Sequence, residues 1–352
     1  MIAEEYNRLS RFLHSISLGS NAISELSFEI NRALFYSIKK IQQSTDNKPV
    51  FISGLARSGT TAILNHLYET KKFATLTYED MPFVLAPNLW RKLTGAGKQF
   101  ELKERAHGDM IFINNQSPEA IDEVFWKVFL NNEYIAKESL KLNQISSEIL
   151  YKYQIFTELI CLKNFTNHSL RYLSKNNNSI LRIDSLRKQF DSCSIIVPFR
   201  SPLEHAQSLL DQHIHFSRLQ TEDPFILKYM NWIGHYEFGL NQKSFEFNLN
   251  EKNTYSKLDL NFWLNTWLNY YSYVLNHNLR EEFILINYED LCINPSKTLN
   301  QISKKTNLNH EFSINEKFIK RNKSDINLDS DGEIILKKCM KVFHQLISFT
   351  VS

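Results

Sequence analysis

Along the chain the spacing of apolar positions changes several times, and each change marks an element. Before residue 45 they recur at three- and four-residue steps, as Leu9, Phe12, Leu13 and Ile16 and then, past Gly19-Ser20-Asn21, as Leu26, Phe28, Ile30, Leu34 and Ile38. That period predicts amphipathic helices, whose stripe could meet a membrane surface or a partner helix and is read here as packing on the core. Val50-Phe51-Ile52 is short, continuous and β-branched or aromatic, the pattern of a buried strand. Gly54 to Gly59 reads as a turn and Thr60 to Tyr68 as an amphipathic helix. Alternating Phe73, Thr75 and Thr77 predict a second strand ending in Glu79 and Asp80. Ser117-Pro118-Glu119 reads as a helix start, with Ile121, Val124, Phe125, Val128 and Phe129 as its core face and Trp126 as packing.

Further on, residues 131 to 172 read as polar, loop-broken helices, and Lys175-Asn176-Asn177-Asn178 as a loop before a strand over Ser179 to Asp184. Ile195, Ile196, Val197 and Phe199 predict another buried strand, with a helix from Glu204. Aromatic-rich helices follow over Asp223 to Phe238 and Phe262 to Leu275, where packing is the favoured role of the rings. Phe283 to Tyr288 is the last clear strand, and Pro295-Ser296 opens a helix to about Thr306. Strands alternating with helices predict an α/β domain of three layers around a parallel, P-loop-like sheet. Residues 1–44 form its helical N-terminal segment, 45–352 the α/β domain with helical insertions, a single domain overall.

Composition narrows the function classes. With 352 residues, 43% hydrophobic and 22% charged, the chain has the make-up of a soluble globular protein with ample core. A net charge of +3 without long Lys/Arg blocks argues against nucleic acid as a partner. Cys161, Cys193, Cys292 and Cys339 are widely separated, with neither CxxC nor metal spacing, so reduced thiols in a cytoplasmic protein and no metal site are expected. His213 and His215 lack a third ligand at useful spacing. The sequence holds no long apolar run and no charged-then-apolar segment at Met1, so no transmembrane span is expected.

Chemistry concentrates at Pro49 to Tyr68. A strand feeding a glycine-bracketed loop and a helix N-terminus suits a phosphate, because first-turn N–H groups lack intrahelical partners and the macrodipole adds positive charge. Arg57 contributes a guanidinium fork, and Ser58, Thr60 and Thr61 contribute hydroxyls. Gly54 and Gly59 have the spacing of a Walker A loop, but Thr60 stands where that loop needs Lys. A P-loop kinase or NTPase is therefore one alternative, and a nucleotide-binding protein without turnover is another.

Arg57-Ser58-Gly59-Thr60-Thr61 resembles the 5′-phosphosulfate loop of the sulfotransferase family in its arginine form, the version found in tyrosylprotein and many bacterial members. Arg200, Pro202 and Ser208 are similar to the family's 3′-phosphate pattern, an Arg at a strand end and a Ser eight residues on. Tyr288-Glu289-Asp290-Leu291 with Pro295 resembles its sheet-closing segment, so the resemblance spans about Pro49 to Thr306. It implies 3′-phosphoadenosine 5′-phosphosulfate as donor, bound by Arg57, Ser58, Gly59, Thr60, Thr61, Arg200 and Ser208, and a sulfuryl acceptor bearing a hydroxyl or amine. It also implies a carboxylate base about 20 residues past the loop Arg. Glu79 and Asp80 both fit, and the resemblance leans to Asp80 because bacterial relatives tolerate a basic residue at the Glu79 position. Cytosolic members use His, which makes His107 the rival base, and a Lys-bearing loop in relatives implies that Lys175 stabilises the leaving phosphate. The family's basic RKG-type loop is missing, with Lys320, Arg321 and Lys323 as possible substitutes.

Overall fold

The computed structural model describes residues 6–36, 48–95, 103–104, 112–114, 116–163, 170–247, 253–314 and 326–350. The chain begins with helices α1 (Arg8–Gly19) and α2 (Asn21–Phe35), capped by Asn7 and Ser20, whose side chains accept from Ser10 and Ile23 N–H. Strand β1 (Val50–Ile52), helix α3 (Thr60–Glu69), strand β2 (Phe73–Ala74) and helix α4 (Pro87–Thr94) follow. Next come a short β3–β4 pair (Lys103–Glu104 and Phe112–Ile113), α5 (Glu123–Phe129), β5 (Ser139–Lys141), α6 (Ser147–Lys163) and β6 (Arg171–Lys175). The remainder is α7 (Ile183–Gln189), β7 (Ser194–Phe199), α8 (Pro202–Glu222), α9 (Pro224–Trp232), β8 (Ser244–Glu246), α10 (Leu260–Asn276), β9 (Phe283–Asn287), α11 (Tyr288–Ile293), α12 (Pro295–Lys305) and α13 (Ser330–Ser348).

The central sheet has the order β2-β6-β1-β7-β9, and every pairing in it is parallel. A parallel sheet needs crossovers that cover both faces, so its strands are buried on both sides. Strand alternation divides the core accordingly. Val50, Ile52, Leu173, Ile196, Ile284 and Ile286 pack with Ile63, Leu64 and Leu67 of α3 and with Leu299 and Ile302 of α12. Phe51, Tyr172, Ile195, Val197, Phe199 and Leu285 join the larger cluster that includes α6, α8, α10 and α13. The three-layer α/β architecture expected from the sequence is the one observed.

Several local expectations are corrected. The second strand stops at Ala74, and Tyr78–Asp80 forms a 3₁₀ turn instead of a strand end. Its Thr77 and Asp80 close a capping box, a local hydrogen-bond set that competes with continued pairing. Ser117-Pro118 does not begin a helix, because Pro118 bridges Thr77 and helix α5 starts only at Glu123. The stretch 131–172 contains β5 and the beginning of β6 as well as α6. Lys175 is the last residue of a central strand, and Ser179–Asp184 is a 3₁₀ turn running into α7, with the Asn176 side chain capping that turn. Helix α13, packed against α10 and α8, was not anticipated.

The N-terminal helices form as expected, but not with the expected face inward. Leu9, Phe12 and Ile16 on α1 and Leu26, Ile30 and Leu34 on α2 are exposed, while His14, Ser17, Ser24 and Asn31 are buried. Of the residues in the apolar stripe, Phe28 does reach the core. No helix among the described residues is long and apolar enough to cross a membrane.

Candidate functional site

Strands β1 and β7 are neighbours at the centre of the sheet, and the chain leaves them in opposite directions. From β1 it crosses to β2 on one flank, and from β7 it continues to β9 on the other. Such a switch point opens a crevice at the carboxyl ends of the strands, the usual ligand position in open α/β sheets. The loops after these two strands carry Arg57 and Arg200.

The β1 loop is held from below. Ser53 N–H extends the pairing by donating to Ile196 O at 2.9 Å, and Ser58 N–H turns back to Leu55 O at 3.2 Å. Gly54 has no room for a side chain, since a Cβ there would stand 2.7 Å from Ser58 Oγ and 2.9 Å from Pro198. Arg57 (φ 71°) and Gly59 (φ 93°) are both left-handed, a conformation that costs a non-glycine residue about 1 kcal/mol. His205 in the first turn of α8 donates its Nε2 proton to Ala56 O at 2.7 Å. Burial first, and then the charges of Arg200 and Arg57, push the pKa of this imidazole down to about 3 against the opposing backbone bond. It is a neutral strut under two cations. Gly59 opens α3 without a side-chain cap, so the helix's N-terminal dipole faces the loop.

Arg57 Nε donates to Ser208 Oγ at 3.3 Å, which ties the β1 loop to the second turn of α8. Arg200 stacks on the ring of Tyr288, its guanidinium 5.0 Å from the ring centroid. The same ring covers Gly59, where a Cβ would meet it at 2.6 Å. Burial raises the Tyr288 pKa to about 12, and both Arg200 and Arg57 act against that shift, so the ring sits within reach of both charges. Arg200 is only 8% exposed, its carbonyl accepts from Trp267 Nε1 at 3.0 Å, and its buried Nε has no hydrogen-bond partner. An unanswered buried donor of this kind costs about 1–3 kcal/mol until an acceptor arrives.

The other side of the site is built around β6 and the acid turn. Lys175 is level with Ile52 on β1. Ala74 pairs with Tyr172, and three residues beyond each lie Thr77 and Lys175, so the acid turn and Lys175 leave the sheet at about one level. Asp80 is 2% exposed, and its Oδ2 accepts from Thr77 N (2.7 Å), Thr77 Oγ1 (3.2 Å) and Lys163 Nζ (2.6 Å). Glu79 beside it is half-buried. Both acids lie within electrostatic reach of Tyr68 on α3, whose pKa is raised by burial and then by the two carboxylates. Behind β6, Glu123 accepts both terminal nitrogens of Arg182 at 2.8 and 3.0 Å and also Asn176 Nδ2 at 2.7 Å, with Tyr134 OH as a further donor. Asp122 Oδ2 accepts from Ser174, Tyr172 and Tyr153, and burial lifts its pKa to about 6.

The structure thus brings Arg57, Ser58, Gly59, Thr60, Thr61, Arg200 and Ser208 to one crevice, with Lys175, Glu79 and Asp80 on the adjoining strands. His107, Lys320, Arg321 and Lys323 lie outside the described residues. Among the described residues no cluster of His, Cys, Asp or Glu has the form of a metal site. Sequence reasoning missed Lys163, His205 and the Glu123–Arg182 pair. Only the position of His205, five residues after Arg200, hinted that it would face the loop.

No family model matches the chain, and no curated protein matches it. Among solved structures it is similar to a sulfotransferase of Mycobacterium tuberculosis H37Rv, with a TM-score of 0.48 and 11% identity over 95% of this chain and 84% of that one. A sulfotransferase of Mycobacterium avium gives 0.43 and 11% over 96% and 79%, and a sulfotransferase domain from the curacin biosynthetic pathway gives 0.37 and 15% over 76% of each chain. At these scores the likenesses decide nothing about activity.

Proposed function

We propose that the protein is a sulfotransferase that moves a sulfuryl group from 3′-phosphoadenosine 5′-phosphosulfate to an acceptor hydroxyl or amine. The observation that carries this reading is the paired arrangement around Tyr288. Arg57, on a loop leading to a helix N-terminus whose Gly59 the ring covers, and Arg200, stacked on that ring with an unanswered Nε, both act electrostatically on Tyr288 at the switch point. Two adjacent cationic sites suit a ligand with two anionic ends, such as a 3′,5′-substituted nucleotide. They suit a triphosphate on magnesium less well, because Thr60 occupies the position of the Walker lysine.

The donor supplies the activated sulfuryl group. Arg57, Ser58, Thr60, Thr61 and the N–H groups from Gly59 onward would hold its 5′ end by charge-assisted bonds. Arg200 would take the 3′-phosphate with Ser208, whose Oγ accepts from Arg57 Nε. Lys175, at the end of the neighbouring strand, would stabilise charge on the departing phosphate, help of the kind worth ~2–4 kcal/mol per donor. The acceptor must lose a proton as its oxygen or nitrogen attacks sulfur. Asp80 Oδ2 already accepts from three donors, so proton uptake there would break the Lys163 pair. We therefore assign the base to Glu79 and give Asp80 the task of holding the turn that presents it. The acceptor class, whether glycan, lipid, metabolite or peptide, is left to a screen.

Thermal unfolding tests the donor directly, with adenosine 3′,5′-bisphosphate compared with Mg-ATP and AMP. At about 100 times its dissociation constant a ligand adds ~2.7 kcal/mol, a rise of several degrees in a chain of this size. A rise with the bisphosphate that disappears in Arg200→Ala supports the reading. A rise with Mg-ATP alone would sink it and move the argument to phosphoryl transfer.

A further inference from the structure

The inward face of the N-terminal helices is mixed: Leu18 and Phe28 enter the core beside buried His14, Ser17, Ser24 and Asn31, and each of these four makes an internal hydrogen bond. His14 Nδ1 bonds Ser10 O at 2.8 Å, Ser17 Oγ donates to Leu13 O at 2.8 Å, and Ser24 Oγ donates to Ser17 O at 2.6 Å. Asn31 donates to Asn88 Oδ1 at 3.1 Å and accepts Leu89 N–H at 2.9 Å. Arg11 clamps α1 to Asp223 through bonds of 3.0 and 2.6 Å. His14 Nε2 is buried without a partner, but the other bonds and the Arg11 clamp fix the seating and resist rotation of the helices. What it leaves outside is apolar.

Leu9, Phe12 and Ile16 recur at i, i+3 and i+7 on α1, and Leu26, Ile30 and Leu34 stand four residues apart along one side of α2. Phe12 and Leu26 are each 60% exposed. Only Ser20 separates the two helices, so their stripes lie side by side as one patch. At 37–67% exposure these six residues present on the order of 600 Å² of surface, the upper end of the range for the largest patch of an ordinary monomer. It approaches the ~800 Å² that each partner buries in a standard-sized interface.

We propose that this face is the dimer interface of the protein and that its occupant is the same hairpin from a second copy. Area is the first argument and charge is the second. The helices carry acids and bases together, with Glu25 and Glu29 on α2 against Arg8 on α1 and Arg32 on α2, and Glu29 is paired with Arg32 at 2.6 Å. An interfacial membrane helix flanks its apolar face with excess Lys and Arg. A balanced face instead suits a copy of itself, since a two-fold axis sets the same patch against itself and can bring acid opposite base. The pairing gives a four-helix layer on the side of α1 and α2 and does not depend on what the sheet crevice binds.

Sedimentation of the full chain across about a hundredfold dilution tests this, because a dimer held by mass action dissociates on dilution. The expected result is a dimer for the unaltered chain and for Leu258→Glu, an exposed control position elsewhere. Phe12→Glu with Leu26→Glu should raise the dissociation constant about 30-fold or more, the loss of a single interface hot spot. Both side chains point to solvent, so circular dichroism should show the double variant folded. A variant that is unfolded would be replaced by the milder Leu9→Gln with Leu34→Gln, read in the same way. A chain that is monomeric throughout overturns the proposal, as does a double variant that is still dimeric. Co-flotation of a monomer with phosphatidylcholine vesicles, lost in the double variant, would assign the face to a membrane instead.

Discussion

The carboxyl edge of the sheet has two halves, and both are rich in buried charge. On the β6–β2 half two buried cations are answered within the protein: Arg182 is matched to Glu123 through two bonds, and Lys163 to Asp80 through one. On the β1–β7 half Arg200 is nearly as buried but rests on an aromatic ring, with its Nε unanswered. The difference separates two uses of a buried charge. A charge whose hydrogen bonds close within the protein fixes local geometry, and removing one partner is costly. A charge left open in a crevice is a binding site for an ion of opposite sign.

The largest effects should come from breaking the closed half. Arg182→Met strands Glu123 in the core and is expected to cost about 3–5 kcal/mol, read as a lower urea midpoint. Arg200→Met, by contrast, should change that midpoint little, and a loss as large as that of Arg182→Met would erase the distinction. The acid turn sharpens the contrast within one dipeptide. Once an acceptor is found, Glu79→Gln should lower turnover by about 10²–10⁴ while leaving bisphosphate binding intact. Asp80→Asn should instead lower the unfolding midpoint, and the opposite assignment of these two effects would return the base to Asp80. Next in size, Arg200→Met should weaken bisphosphate binding by about 1.5–3 kcal/mol, or roughly 10–150-fold, by titration calorimetry.

The smallest effects are in pH, where the two halves should slope oppositely. Asp122 has its folded pKa raised to about 6, so the folded state holds its proton more tightly than the unfolded chain does. Its stabilisation is present below the unfolded pKa and is lost as pH rises through about 6, which Asp122→Asn should abolish. His205 has its folded pKa depressed to about 3, so its contribution is present at neutral pH and is lost as pH falls from the ordinary histidine range toward 3. Stability measured between pH 3 and 7 in wild type, Asp122→Asn and His205→Gln separates the two signs. A shared sign would break the comparison.

How much of this was legible depends on how local the cause is. The β1 loop could be read because its features are sequential: a β-branched strand, Gly54 and Gly59 at a turn, and Arg57 with hydroxyls before a helix. Strand β7 and Arg200 could be read for the same reason. The second strand could not be bounded, because it ends where the Asp80 side chain captures Thr77. Lys175 was misplaced into a loop, since the polar residues Arg171 and Ser174 disguise a strand whose polar groups are buried and bonded at 2.6 Å to Lys48 O and Asp122. The N-terminal helices show the limit most plainly, because periodicity located both of them, yet of the stripe on α2 only Phe28 turned inward while Leu26, Ile30 and Leu34 stayed exposed.

By itself the sequence determined which segments are strands and helices where the apolar period is strong, and it determined which residues stand together in the two loops, because both follow from neighbours a few residues apart. Tertiary structure alone decided the rest. It set Arg57 against Ser208, 151 positions away, stacked Arg200 on the ring of Tyr288, tied Asp80 to Lys163 across 83 positions, and left most of the apolar stripe of α1 and α2 outward. Long-range pairs depend on which surfaces the whole fold brings together, and a residue's own neighbours in sequence carry no record of that. The helix face is a similar case: a stripe of leucines states that it will be buried against something, and only the assembled molecule decides what that is.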